Sequence, residues 1–134
     1  MVTSLVSLDC DRITDWPSFH DECARVFGFP DFYGRNLDAW VDCMTSLDVP
    51  EDMMSSVHCA RGSVLTIELR NARAFRKRCP EQFDAIVKCS KFVNERRVAV
   101  GETPVLAVSF DLGNRGWIAA FAQGIRGFFA YGSE

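Results

Sequence analysis

Residues 63–110 read SVLTIELRNARAFRKRCPEQFDAIVKCSKFVNERRVAVGETPVLAVSF, and this stretch decides the fold class. It opens on Ser63–Leu69, an aliphatic and β-branched run, and closes on Val105–Phe110, a continuous apolar run suited to a covered sheet. Between them the pattern is helical. Asn71–Cys79 is broken at Pro80, and a longer segment then runs to about Arg97 with Phe83, Ile86, Val87, Ser90 and Val93 on or near one face. Two strands joined by so long a helical crossover are expected to lie parallel.

The same grammar extends upstream. Thr3–Leu8 has the composition of a first strand, and Asp15 before Trp16-Pro17 is a helix start, with an N-cap and a proline in the first turn. Phe19, Cys23, Val26 and Phe27 recur at helical spacing until Gly28 and Pro30 stop them. Asp31–Gly34 reads as a turn, and from Asn36 onward Leu37, Trp40, Met44 and Leu47 mark a second helix with one apolar stripe. Residues 48–62 have no strong period and read as a loop. The order β-α-α-β-α-α-β predicts an α/β domain over residues 1–112, with a small three-stranded parallel sheet packed with helices. Residues 113–134 read as a C-terminal extension packed on the same domain, with five glycines and the aromatics Trp117, Phe121, Phe128, Phe129 and Tyr131. That extension either forms a hairpin through residues 113–116 or packs as an amphipathic coil, and the sequence leaves both open.

A chain of 134 residues, 48% hydrophobic and 25% charged, matches one ordinary globular domain. No segment approaches the roughly 20 apolar residues of a membrane span. The short apolar start lacks a basic leader, so a cytoplasmic location is expected. Six cysteines contain no C-x-x-C pair and no zinc-ligand spacing with His20 or His58, so they are expected to be reduced core thiols. The net charge of −3 conceals an asymmetry. Residues 1–52 hold 11 acids and three bases, a balance of −8, while residues 53–134 hold seven acids and 12 bases, a balance of +5.

The acidic excess concentrates in residues 31–52, where six acids (Asp31, Asp38, Asp42, Asp48, Glu51, Asp52) face one base, Arg35. With the apolar stripe inward, Asp38 and Asp42 share one helix face four residues apart. Like charges at that spacing cost a helix roughly 0.2–0.5 kcal/mol, only partly offset near the N-terminus by the helix dipole. No Lys or Arg lies four residues from either acid. An uncompensated acidic face of this kind is either a solvated surface or a docking surface for a basic cleft.

The run Phe29-Pro30-Asp31-Phe32-Tyr33-Gly34-Arg35-Asn36-Leu37-Asp38-Ala39-Trp40-Val41-Asp42-Cys43-Met44-Thr45 closely resembles the barstar-family signature Pro-acidic-aromatic-Tyr-Gly-x-Asn-Leu-Asp-Ala-x-x-Asp-Cys-Leu-Thr. The likeness extends more loosely over about 110 residues, through His20 in the first helix, Val64–Arg70 as the central strand and Val105–Phe110 as the last. It implies an intracellular ribonuclease inhibitor, an antitoxin or immunity protein, whose acidic helix plugs the basic cleft of a cognate nuclease. By position Asp42 matches the central plug, Asp38 the second carboxylate, and Gly34 and Asn36 the turn and helix-start contacts. Phe32 stands where the family has tyrosine and Val41 where it has tryptophan, two departures at contact positions. Glu95 is a candidate for a further family glutamate in the later helix.

Other readings compete. A non-inhibitory interaction or regulatory module could keep the fold with another partner. A carboxylate enzyme is the remote third: i,i+4 acids lack a third metal ligand, a placed histidine or a phosphate-cradling glycine loop. The expectation is therefore of no catalytic residue, no metal, no cofactor, and no nucleic-acid or membrane partner. Arg70, Arg73, Arg76, Lys77 and Arg78 read as a solvated basic face.

Overall fold

Strand formation follows from runs that must bury alternate or all side chains. The structure, a computed structural model, describes residues 2–112 and the backbone strand at residues 117–121. Strands β1 (Leu5–Asp9), β2 (Leu65–Arg70) and β3 (Leu106–Asp111) pair in parallel in that order, with Leu8 opposite Leu69 and Leu69 opposite Phe110. Helices α1 (Trp16–Phe27) and α2 (Leu37–Thr45) connect the first two strands; α3 (Ala72–Arg78) and α4 (Pro80–Ala99) connect the next two. The expected α/β architecture is therefore present.

The extension adds to it. A fourth strand, β4 (Trp117–Phe121), pairs antiparallel with β3, so the sheet has order β1-β2-β3-β4 with one antiparallel edge. This is the hairpin-type pairing left open above; the turn at 113–116 and residues 122–134 lie outside the described residues.

Local chemistry sets the helix ends. Asp15 accepts from the Ser18 backbone N–H at 2.9 Å, while the Ser18 hydroxyl accepts from the Asp15 N–H at 3.0 Å, a reciprocal capping box. Gly28 ends α1 in the left-handed region at φ 65°, and a Cβ there would stand 2.5 Å from the Ser56 Cβ, so both conformation and space require glycine. Cys79, non-helical at φ −133° and ψ 65°, separates α3 from α4 just before Pro80.

One core cluster joins Val6, Leu8, Ile67, Leu69, Val108 and Phe110 of the sheet to Phe19, Cys23 and Phe27 of α1, Trp40 and Met44 of α2, and Phe83 and Ile86 of α4. Cys10, Cys23, Cys43, Cys59 and Cys79 are buried free thiols, Cys89 is partly buried, and burial pushes Cys23 up to about 12 and Cys43 up to about 11. The basic run is less uniformly solvated than expected. Arg78 donates to the Cys10 carbonyl at 2.7 Å and the Ile13 carbonyl at 3.1 Å, tying α3 to the turn after β1.

Candidate functional site

Helix α2 divides its residues sharply. Trp40, Val41, Cys43 and Met44 are buried, whereas Asp38 and Asp42 are exposed. Trp40 is fixed in the interior, its indole N–H donating to the Cys23 sulfur at 3.4 Å. Val41 is only 5% exposed and belongs to the core, so it offers a partner no side-chain surface. Its place between Trp40 and Asp42 is turned inward by the α2–α4 contact, which the one-stripe reading of the sequence did not anticipate.

The start of the helix is built by Asn36, whose side-chain oxygen accepts from the Ala39 N–H at 2.8 Å. That side chain is therefore engaged as the N-cap. Arg35, not Gly34, takes the left-handed conformation, at φ 56°. Its guanidinium holds the strained turn to α1 through the Asp21 carboxylate at 2.8 Å and the Pro17 carbonyl at 3.1 Å. Phe32, on the loop leading into this turn, is 74% exposed. Gly34, Asn36, Asp38 and Asp42 are likewise exposed, so one surface runs from the Phe32 loop along the outer side of α2.

Two acids of the 31–52 segment behave differently from the sequence reading. Asp48 is buried and forms a two-bond ion pair with Arg97 of α4, both contacts at 3.0 Å. It also accepts from the Gly62 N–H at 3.0 Å. Burial would raise the Asp48 carboxyl, but the bonds from Arg97 and Gly62 hold it below the ordinary value. It belongs to the interior and not to the acidic surface. Asp42 has a counter-ion after all: Arg96 Nη1 of α4 lies 3.2 Å from its Oδ1. Neither partnership has a local signal, since 49 residues separate Asp48 from Arg97 and 54 separate Asp42 from Arg96. Glu95 is exposed, but it is turned about 100° around the helix from Arg96. The α4 residue that meets Asp42 is thus a base, and Glu95 lines a shallow groove with Asn94, Val98 and Ala99.

A family model described as "Barstar (barnase inhibitor)" matches residues 3–108, from the edge of β1 into β3 and through all four helices. The chain belongs to the barstar family. It is also similar to a protein of Bacillus subtilis strain 168 named "Putative ribonuclease inhibitor YrdF", 53% identical over 32 residues. That match covers 23% of this chain and 35% of the relative's length.

In this barstar-family chain the turn that leads into α2 is backed by His20 and Tyr33. His20 is 5% exposed, and its Nδ1 shares a 2.6 Å hydrogen bond with the Tyr33 hydroxyl. Burial first, and the nearby Arg35 charge second, lower the His20 pKa from 6.5. The folded state therefore binds fewer protons than the unfolded chain between the two values. The stability His20 contributes is complete above pH 6.5 and is lost as pH falls through the folded-state pKa. Chemical-denaturation midpoints are expected to fall on acidification below pH 6.5, and His20→Gln should flatten that dependence. Identical pH profiles for the two proteins would remove His20 as its source.

Proposed function

We propose that this chain is an intracellular ribonuclease inhibitor, an antitoxin or immunity protein, which closes the basic active-site cleft of a cognate nuclease with Asp42 and Asp38. What carries the reading is the division of α2: two carboxylates one turn apart face outward from a helix whose other side is locked into the core. A ribonuclease cleft must hold a phosphodiester with Arg, Lys or His donors. A carboxylate presents oxygen acceptors to the same donors and forms charge-assisted hydrogen bonds with them. Asp42 acts as the central plug, Asp38 as the second acid and Phe32 as an exposed aromatic contact beside them. Gly34 leaves room for close approach, and Asn36 sets the helix start.

Among the described residues no helix is long and apolar enough to cross a membrane. The proposed site of action is the cytoplasm, where a nuclease made by the same cell would need to be neutralised.

The test is protection of cells expressing a ribonuclease, using one encoded beside this gene together with a panel of single-domain ribonucleases that includes barnase. The wild type is expected to protect and to co-purify with its target. Association should slow as salt rises from 50 to 500 mM, because opposed fields steer the encounter. Equal binding by the wild type and the Asp38→Ala/Asp42→Ala double variant would remove the helix-plug mechanism.

A further inference from the structure

The contact between Asp42 and Arg96 constrains what a partner must look like. Arg96 lies near the end of α4 with 45% of its side chain exposed, and the Asp42 side chain is 58% exposed. The guanidinium carbon stands 6.0 Å from the ring centroid of Phe92, itself half exposed, so the charge is held between an aromatic ring and the plug carboxylate. Arg96 is therefore part of the same surface as Asp42.

A cleft lined only by cations would press its own Arg or Lys side chains against Arg96 as it closed on Asp42. Like charges brought together and stripped of water oppose binding strongly and act as a selector against such partners. The charge pattern along the surface is negative at Asp38, negative at Asp42 and positive at Arg96. Its complement has two cationic positions and, next to them, an anionic one.

On the inhibitor reading above, we propose that the target's cleft carries a carboxylate beside its phosphate-holding cations, and that Arg96 pairs with it in the complex. Arg96 then acts as a specificity residue. In the free protein it neutralises part of the plug; in the complex it exchanges Asp42, which the target's cations take, for the target's acid. Nucleases with uniformly basic clefts are rejected.

The experiment measures binding of the wild type, Arg96→Gln and Arg96→Glu to the ribonuclease recovered from the protection panel. In parallel, each cleft carboxylate of that enzyme is replaced in turn by its amide. Arg96→Gln is expected to weaken the complex about tenfold and Arg96→Glu more, with thermal melting of the free proteins unchanged. One nuclease amide variant should erase the difference between wild type and Arg96→Gln. Equal or tighter binding by Arg96→Gln overturns the proposal and leaves the inhibitor reading intact. So does a loss that persists against every amide variant, since Arg96 would then only be positioning Asp42. If the wild type binds no ribonuclease in the panel, the inhibitor reading itself fails and this inference falls with it.

Discussion

Asp42→Ala is expected, on the proposed inhibitor function, to weaken the complex with the target nuclease by about 2–5 kcal/mol, roughly 30- to several-thousand-fold in Kd, a range drawn in part from a complex of this family. The cost arises because truncation leaves the nuclease's cations buried against an apolar stub without their anion. The stability of the free chain should hardly change. Asp42 is exposed, and its pair with Arg96 is the kind of surface contact worth about 0–1 kcal/mol. Asp38→Ala should cost less in binding. It also removes a favourable charge from the first turn of α2, worth about 0.3–1 kcal/mol to the helix. Association and dissociation rates with unfolding curves separate the two effects: a large rise in dissociation rate with an unchanged melting point is the expected signature for Asp42. Equal losses in binding and stability would mean that Asp42 supports the fold and does not plug a cleft.

The largest effect on folding is expected from Arg97→Met. The Arg97 and Asp48 side chains are 3% and 2% exposed, and the guanidinium also donates to the carbonyls of Thr45 at 2.8 Å and Thr103 at 2.7 Å. Methionine fills much of the space but strands a buried carboxylate and two carbonyls. Breaking one side of such a pair costs about 3–5 kcal/mol, a large share of a typical total stability of about 5–15 kcal/mol. For a domain of this size that corresponds to a drop of about 10–20 °C in Tm. Arg97→Met/Asp48→Leu should recover part of the loss, because removing both charges also removes their desolvation cost. Thermal and urea unfolding followed by circular dichroism tests both variants. A double variant no better than Arg97→Met alone would place the stabilisation in the carbonyl bonds rather than in the ion pair.

Much of this architecture was readable from residue order. The strands at Val105–Phe110 and Ser63–Leu69 announce themselves because a covered sheet demands apolar runs, and the observed β3 and β2 start inside them and run one residue past, to Asp111 and Arg70. The cap at Asp15 and the stop at Gly28 are local events settled within four residues, so local sequence reports them. What escaped was long-range. The inward turn of Val41, the burial of Asp48 and the approach of Arg96 to Asp42 all depend on how α4 lies across α2, and no periodicity within either helix specifies that register. Buried charges defeat pattern reading for a further reason: an aspartate destined for the interior looks identical to its solvated neighbours until its arginine is found. Glu22 on α1 is a mixed case: its Arg25 partner, 2.7 Å away, lies one turn along the same helix, whereas the Asp9 N–H at 2.9 Å and Arg12 at 3.3 Å reach it from the end of β1 and the turn after it.

The division of labour within α2 also bears on how such a protein could change allegiance. Trp40, Val41, Cys43 and Met44 hold the helix in place, while Asp38, Asp42 and the nearby Phe32 project from it. The residues that keep the chain folded and those proposed to meet a partner are therefore almost separate sets. Mutations can accumulate in the second without taxing the first, so a lineage could track a drifting adversary, or adopt a new one, through a series of fully folded intermediates.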